Sequence, residues 1–430
     1  MVSVKLGFRN LVRNRWRSGL TLAAVAVAVA LLIWMLAMYE GWIDEMVRGV
    51  TNVETGQLQI QTAAFIENSR VYETIRLDPE LVERIAAVPA VSHVTARVRG
   101  YGLVGNEQRS QVARLVGVDP VAEATATPIV RGIVAGRWLS DQPAPEGEPR
   151  EVVIGEGVAQ QLRVGIGDEL VVFLEAADGS LGNELLAVIG VVRTGNTEVD
   201  RLSAYMHLAD AQYLMALADE VHELIVRTPE LHETGELART VAAAIGGEAG
   251  APGGDAVTPP DLLVVRTWQE IVPAINQMIL VFRNSYAILY LLVYLVAAVG
   301  IVNTARMSAL ERRREFGVML AIGMRPRRMF RTIVTETVVL GAVGAVIGAI
   351  LGLIVTLHHA TAGFDMGAFT DSGSFSFMGV AFSERIHFVI RPVNVVAPVL
   401  VMLFVAALSG LWPALRAARI DPAPTIAGRT

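Results

Sequence analysis

Four stretches of the 430-residue chain carry no charged side chain: 19–39, 284–305, 337–357 and 392–415. Each is long enough to cross a bilayer as a helix, which takes roughly 20 residues. The pattern changes between the first two. Leu58 and Ile60 alternate with polar neighbours in GQLQIQ (56–61), and VTARVRGYGLV (94–104) and VARLVGV (112–118) read as further strands. EVVIGEGVAQQLRVGIGDELVV (151–172) reads as strand, turn, short helix, turn and strand. LLAVIGVVRTGN (185–196), SAYMHL (203–208) and HELIVRT (222–228) are strand-like, whereas 209–217 and 232–246 are helical. Two Pro/Gly-rich segments, 141–150 and 246–260, read as loops. The expectation for 40–283 is a mixed α+β domain with room for two lobes.

Helix signals border that domain. The first apolar span has no proline through Val50, so helix is expected to continue outward toward Thr51. Thr267-Trp268-Gln269-Glu270 has the form of a capping box, a local helix start. From there helix is expected to about Arg314, kinked at Pro273. Such a helix would be roughly 70 Å long, and the hydrocarbon core takes up only about 30 Å of it. The excess, including 268–283, is expected to protrude as an outer stalk, a rigid rod between the inner loop and the outer domain.

Composition supports a few spans joined to one large water-exposed domain: 53% of residues are hydrophobic and only 18% charged, with mean hydropathy +0.47. Charge gives the orientation. Residues 1–18 hold five basic residues and no acid, the 306–336 loop is +5, and the tail 416–430 is +2. With a whole-chain charge of −6, residues 40–283 carry −17. Short basic loops stay on the cytoplasmic side. The termini and 306–336 are therefore expected inside, and 40–283 with the loop 358–391 outside. The first span is longer than a signal-peptide core and no small-x-small cleavage pattern follows it, so it reads as an anchor. Residues 5–18 suit an amphipathic helix on the inner leaflet or a plain basic flank.

The densest charge lies in RMSALERRREFGVMLAIGMRPRRMFRTIVTE (306–336), with eight Arg and three Glu. Its grammar predicts a helix over 308–322, a left-handed stop at Gly323, and a new helix from Pro326 into the membrane. On physical grounds alone, such a loop either only sets topology or is gripped by a soluble partner.

The run ERRREFGVMLAIGM followed by a Gly-rich span resembles the coupling segment of FtsX-like ABC permeases, a group including macrolide-exporter and lipoprotein-releasing (Lol) types. The block 151–172 resembles that family's outer core domain, and the pattern PALRAARIDP near the C-terminus resembles its end. The resemblance implies that 306–336 docks into an ATPase subunit, with Glu311, Arg314, Glu315, Phe316, Gly317 and Gly323 as coupling residues. It implies two permease chains, identical or paralogous, on an ATPase dimer in the inner membrane. GQLQIQ and 193–212 look more like lipoprotein-releasing permeases, which implies lipoprotein cargo and a periplasmic acceptor. The alternative is export of drugs, peptides or lipids with an outer-membrane partner.

Other chemistry is excluded or unsupported. The only lysine is Lys5, so no phosphate-binding loop with Lys followed by Ser or Thr exists. ATP and Mg are expected on a separate ATPase polypeptide. With no cysteine, thiolate sites are excluded, and the seven histidines show no metal-ligand spacing beyond adjacent His358–His359. No catalytic, cofactor-binding, metal or nucleic-acid site is expected. The acids of 40–283 read as a solvated surface. The third span carries Gly341, Gly344, Gly348 and Gly352, a flat stripe on which another helix, from this chain or a second permease, can pack closely. The expected fold class is thus an α-helical membrane protein with four transmembrane helices and a large mixed α+β extracytoplasmic domain between the first and second.

Overall fold

A computed structural model describes residues 15–229, 231, 234–250, 259–365, 376–377, 380–381 and 385–419. The basic segment 1–14, the loop centre 251–258, most of 366–384 and the tail 420–430 lie outside the described residues. Two compact units result. One comprises the described residues within Met1–Ile43, Met278–Met366 and Arg385–Thr430, the other those within Asp44–Gln277 and Gly367–Glu384.

The helices are α1 (Arg15–Val50), α2 (Pro273–Glu311), α3 (Arg313–Ala321), α4 (Pro326–Ala362) and α5 (Pro392–Ala418), with shorter ones in the second unit. All but α3 are long and apolar enough to cross a membrane. Helix continues outward past the first apolar span to Val50, then widens into a π-turn over Thr51–Thr55. Gly56 closes that turn at φ +63°, with its N–H on Thr51 O, and a Cβ there would lie 2.5 Å from Ile225 Cγ2.

The helix expected from Thr267 to about Arg314 is interrupted. The capping box starts only a four-residue helix, Trp268–Ile271. Val272 turns to φ −122°, ψ 68°, and Pro273 begins α2 afresh. The cause is local: proline supplies no N–H and pushes its predecessor out of the helical region. The 39 residues of α2 span about 58 Å. At the far end Arg312, at φ −97° and ψ 12°, separates α2 from α3, so the helix predicted over 308–322 is shared between two elements.

In the first unit, α4 lies against α1 and α5 along its glycines. A Cβ on Gly344 would meet the Val25 side chain, one on Gly348 the backbone of Ala26, and one on Gly352 the backbone of Ala30. Gly341 faces Ala406 and Gly410 faces Thr337, closing α4 on α5. Val25, Val29, Ala297, Ile301, Ala345 and Met402 form the core among these helices. The stripe therefore packs within this chain.

The second unit is built on one eleven-stranded sheet. Its strands are β1 (Leu58–Thr62), β2 (His93–Gly105), β3 (Ser110–Val118), β4 (Ile133–Gly136), β5 (Arg150–Gly155), β6 (Glu169–Glu175), β7 (Leu181–Val192), β8 (Ser203–His207), β9 (Glu223–Arg227), β10 (Glu248–Ala249) and β11 (Leu263–Thr267). The order is β10-β11-β1-β9-β2-β3-β8-β5-β7-β4, and β6 pairs with β2 and β7. Helices Pro79–Ala86, Glu156–Leu162, Leu208–Leu214 and Thr234–Ile245 pack their apolar faces on it, each burying residues such as Leu81, Leu162, Leu214 and Val241. β1, the first strand after α1, pairs antiparallel with both β11 and β9. All five of its residues are buried, including Gln59 and Gln61, so the alternation seen in the sequence does not mark a solvent face.

Candidate functional site

The segment over which the sequence predicts coupling folds as a helical hairpin, α3 followed by α4. Gly323 takes φ +96° between them, a left-handed position open to glycine, and its N–H bonds Leu320 O. Phe316, only 4% exposed, inserts among Met329, Ile333, Ala414 and Ala417, and Gly317 is buried beside it. The opposite face of α3 is open: Arg313, Arg314, Val318 and Ile322 are exposed, Ile322 to 79%. Glu311 is the exposed last residue of α2, and Arg314 stands in the exposed first turn of α3.

The structure brings Glu315 and Phe316 onto a residue that sequence reasoning missed. Arg312 donates from Nε to Glu315 at 3.1 Å and from Nη1 to Glu336 at 3.0 Å, and its guanidinium lies 5.1 Å from the Phe316 ring centroid. One side chain at the helix break thus holds the start of α3 to α4 by a two-carboxylate clamp and a cation–π contact. Its spacing of three residues from Glu315 was visible in the sequence, but Glu336, the second carboxylate, comes alongside only through the hairpin.

A second constellation lies in the other unit, around the π-turn that ends α1. The end of a helix leaves backbone carbonyls without partners and carries partial negative charge. Here guanidiniums supply the donors. Arg227 donates to Thr51 O, and Arg97 to Val53 O and Glu54 O at 2.8 Å each. Arg97 also forks onto Glu123, at 2.6 and 3.2 Å. Arg99 and Arg114 hold the Glu54 carboxylate, Arg99 also reaches Glu223 at 3.1 Å, and Gln61 donates to Glu223 at 3.0 Å. Burial opposes ionisation of Glu54, but Arg99, Arg114 and Arg97 outweigh it and hold its pKa below the ordinary value. Burial likewise disfavours charge on Arg97, and Glu123 reverses this, raising its pKa.

Glu123 and Glu223 are completely buried. The reading of the domain's acids as a solvated surface is therefore wrong for Glu54, Glu123 and Glu223. These three are internal counter-ions for strand arginines. Arg97 and Arg99, two apart in β2 and so on one face, were the available clue.

Beside this cage a cavity of about 700 Å³ is lined by Gln59, Gln61, Phe65, Tyr72, Arg99 and Arg266, among others. Gln59 Nε2 and Arg266 Nε are buried there without a hydrogen-bond partner among the described residues. Such a wall offers donors to an oxygen-bearing ligand.

Comparison with known proteins places these features. Residues 18–245 match the MacB-like periplasmic core domain, and residues 287–422 match the FtsX-like permease C-terminal domain. The chain belongs to the FtsX-like/MacB-type permease family. The FtsX-like match spans α2 to α5 and includes the hairpin. The permease is 21% identical over 443 residues to the lipoprotein-releasing system transmembrane protein LolC of Xylella fastidiosa (strain 9a5c), covering 99% of this chain and 98% of that one. It is 23% identical to LolE of Haemophilus influenzae over 94% of this chain and 92% of that one. It is 24% identical to the macrolide export ATP-binding/permease protein MacB of Wolinella succinogenes, covering 99% of this chain but 60% of MacB. Among solved structures it is similar to the periplasmic region of MacB from Actinobacillus actinomycetemcomitans, with TM-score 0.36 and 15% identity over 55% of this chain and 98% of that one. The permease is thus an ABC transporter permease of the LolC, LolE and MacB type, an inner-membrane protein with an extracytoplasmic domain inserted after its first helix.

Proposed function

We propose that this permease transmits the motion of an ATPase dimer on the cytoplasmic face to its outer domain, and that the work done there is release of lipoproteins from the inner membrane. The observation that supports the first part most directly is the hairpin. Its inner face is fixed by Phe316 and the Arg312 clamp, while Arg314, Val318 and Ile322 stand open on the other. A rigid, half-apolar, basic helix face suits docking into a soluble partner. In this reading Glu311, Arg314, Glu315, Phe316, Gly317 and Gly323 couple the two proteins, both termini are cytoplasmic, and ATP and Mg are bound by the partner. A second permease chain completes the assembly. The arginine cage around the end of α1 then serves as the point where helix displacement enters the sheet, a rigid-body mode of transmission.

The lipoprotein reading draws on near end-to-end similarity to LolC and LolE, with cargo passing to a periplasmic acceptor. Export through an outer-membrane partner is the second reading, favoured by the 24% identity to MacB across 99% of the chain. The test is purification of the full chain in mild detergent with mass spectrometry of bound polypeptides. A co-purifying ATPase and lipidated proteins are expected. Glu315→Arg is expected to lose the ATPase while eluting as folded protein. Retention of the ATPase by that variant refutes Glu315 as a coupling residue, and absence of lipidated cargo refutes the substrate.

A further inference from the structure

Where α2 and α5 end, four arginines line one cavity, two of them against the ring of Trp412. Arg306, Arg313, Arg416 and Arg419 line a cavity of about 340 Å³ together with Leu310 and Trp412. The Arg416 guanidinium lies 4.5 Å from the Trp412 ring centroid and that of Arg306 lies 5.9 Å from it. Cation–π contacts of this kind orient guanidiniums without neutralising them. None of the four forms an ion pair with a described carboxylate. The contrast with Arg312, one residue from Arg313, is direct: its charge is taken up by Glu315 and Glu336. All four arginines stay exposed, so the cavity turns four positive charges outward with no described carboxylate among them, a local field that draws an anion.

The level of the cavity identifies the kind of anion. The uncharged stretches end at Ala305 and Leu415, and Arg306 and Arg416 are the next residues, so the cavity sits at the membrane–water boundary. Next to it, Leu310, Leu408, Leu411 and Trp412 are between 37% and 54% exposed, an apolar surface continuous with the two spans. We propose that this cavity binds the phosphate headgroup of an anionic phospholipid, with the acyl chains along the exposed faces of α2 and α5. Guanidiniums match phosphate oxygens in geometry and charge, and basic pockets between helix ends at the cytoplasmic boundary suit such headgroups. A zwitterionic lipid would bring its ammonium group among four cations. A free phosphate would satisfy the charge but leave the apolar border uncovered. This goes beyond the reading of the permease as an ATPase-driven machine and does not depend on it.

The test is native mass spectrometry of the full-length protein titrated with phosphatidylglycerol, cardiolipin or phosphatidylethanolamine, with sn-glycerol 1-phosphate as the chain-free phosphate. The wild type is expected to hold the two anionic lipids and to release phosphatidylethanolamine. Removing one arginine should weaken anionic-lipid binding about fivefold and removing two about twenty-five-fold. Arg306→Gln with Arg416→Gln is the decisive variant. Arg327→Gln with Arg328→Gln, exposed arginines outside the cavity, should bind as the wild type does. If the double variant does not elute as folded protein, Arg416→Gln alone carries the test at its fivefold expectation. Unchanged anionic-lipid binding in the cavity variants overturns the proposal, as does equal retention of phosphatidylethanolamine. Binding of sn-glycerol 1-phosphate as tight as that of phosphatidylglycerol assigns the cavity to a soluble phosphate instead. Loss of a co-purifying ATPase with lipid binding intact assigns it to a protein.

Discussion

The same substitution at two glycines should have opposite effects on stability. A Cβ added at Gly348 would press on the Ala26 carbonyl oxygen and lie 2.9 Å from both Ala26 Cα and Val29 Cβ, whereas one at Gly300 meets nothing within 4 Å. Carbon atoms rest at about 3.5–4.0 Å, so Gly348→Ala must part α4 from α1 by roughly 0.6–1 Å. Side-chain rotation cannot relieve it, because the obstacles are the Ala26 backbone, its carbonyl oxygen nearest, and the Val29 Cβ. Overpacking of this kind costs about 1–3 kcal/mol. Alanine returns about 1 kcal/mol of helix propensity at either site. Parting the helices also strains the neighbouring contacts of Gly344 and Gly352 on α1, which share the seam. Gly348→Ala should therefore destabilise by up to about 2 kcal/mol, and Gly300→Ala should stabilise by up to about 1 kcal/mol. Equilibrium unfolding of the two variants in mixed micelles measures the difference. Equal stability of the two, or a more stable Gly348→Ala, would refute the account of the glycine stripe as the contact between α1 and α4.

Other predictions concern charge. Arg97→Met leaves Glu123 buried without its partner and should cost about 3–5 kcal/mol, read as a fall in melting temperature of the full chain. Replacing both Arg97 with Met and Glu123 with Leu should recover much of that loss, and failure to recover would show that the carbonyls of the π-turn depend on Arg97 more than Glu123 does. Arg312→Gln should loosen the half-exposed clamp by no more than about 1 kcal/mol, yet speed amide hydrogen exchange in α3; unchanged exchange would remove Arg312 as its anchor. Acid should weaken the protein in two stages. His222 accepts from Arg99 N–H at Nδ1 and is buried, which lowers its pKa from 6.5, so the unfolded chain takes up this proton first and stability falls as pH drops below about 6.5. Glu54 is held below 4.5, so its contribution is full above that value and is lost progressively beneath it, as pH falls toward the lower folded-state value. Melting temperature across pH 7.5 to 4 in the wild type and in His222→Asn separates the stages, since the variant should lack the upper one.

The membrane helices were legible because an uncharged stretch of about 20 residues has few other solutions. Gly323 and Pro326 punctuate the hairpin for reasons of backbone geometry alone, and they act locally enough to be read. What the sequence concealed was non-local. Glu123 lies 26 residues from Arg97, and Glu223 lies 124 from Arg99, so composition registered only an acidic domain. Strand β11 escaped notice because LVVRT is short and adjoins a strong helix start. The interruption at Val272 was half visible: Pro273 announced a disturbance, but whether proline bends or ends a helix is decided by the residue before it. Arg312 could not be told from Arg313 and Arg314 until the hairpin brought Glu336 alongside.

β1 and β11 are the strands that enter and leave the outer domain, and they are direct antiparallel neighbours from Leu58–Thr267 to Thr62–Leu263. The two chain ends therefore emerge side by side at the same rung. A displacement shared by both ends strains none of the five pairings. A displacement that draws one end away from the other opens the ladder rung by rung, beginning at Leu58 and Thr267. The domain can ride on its two connections only while they travel together.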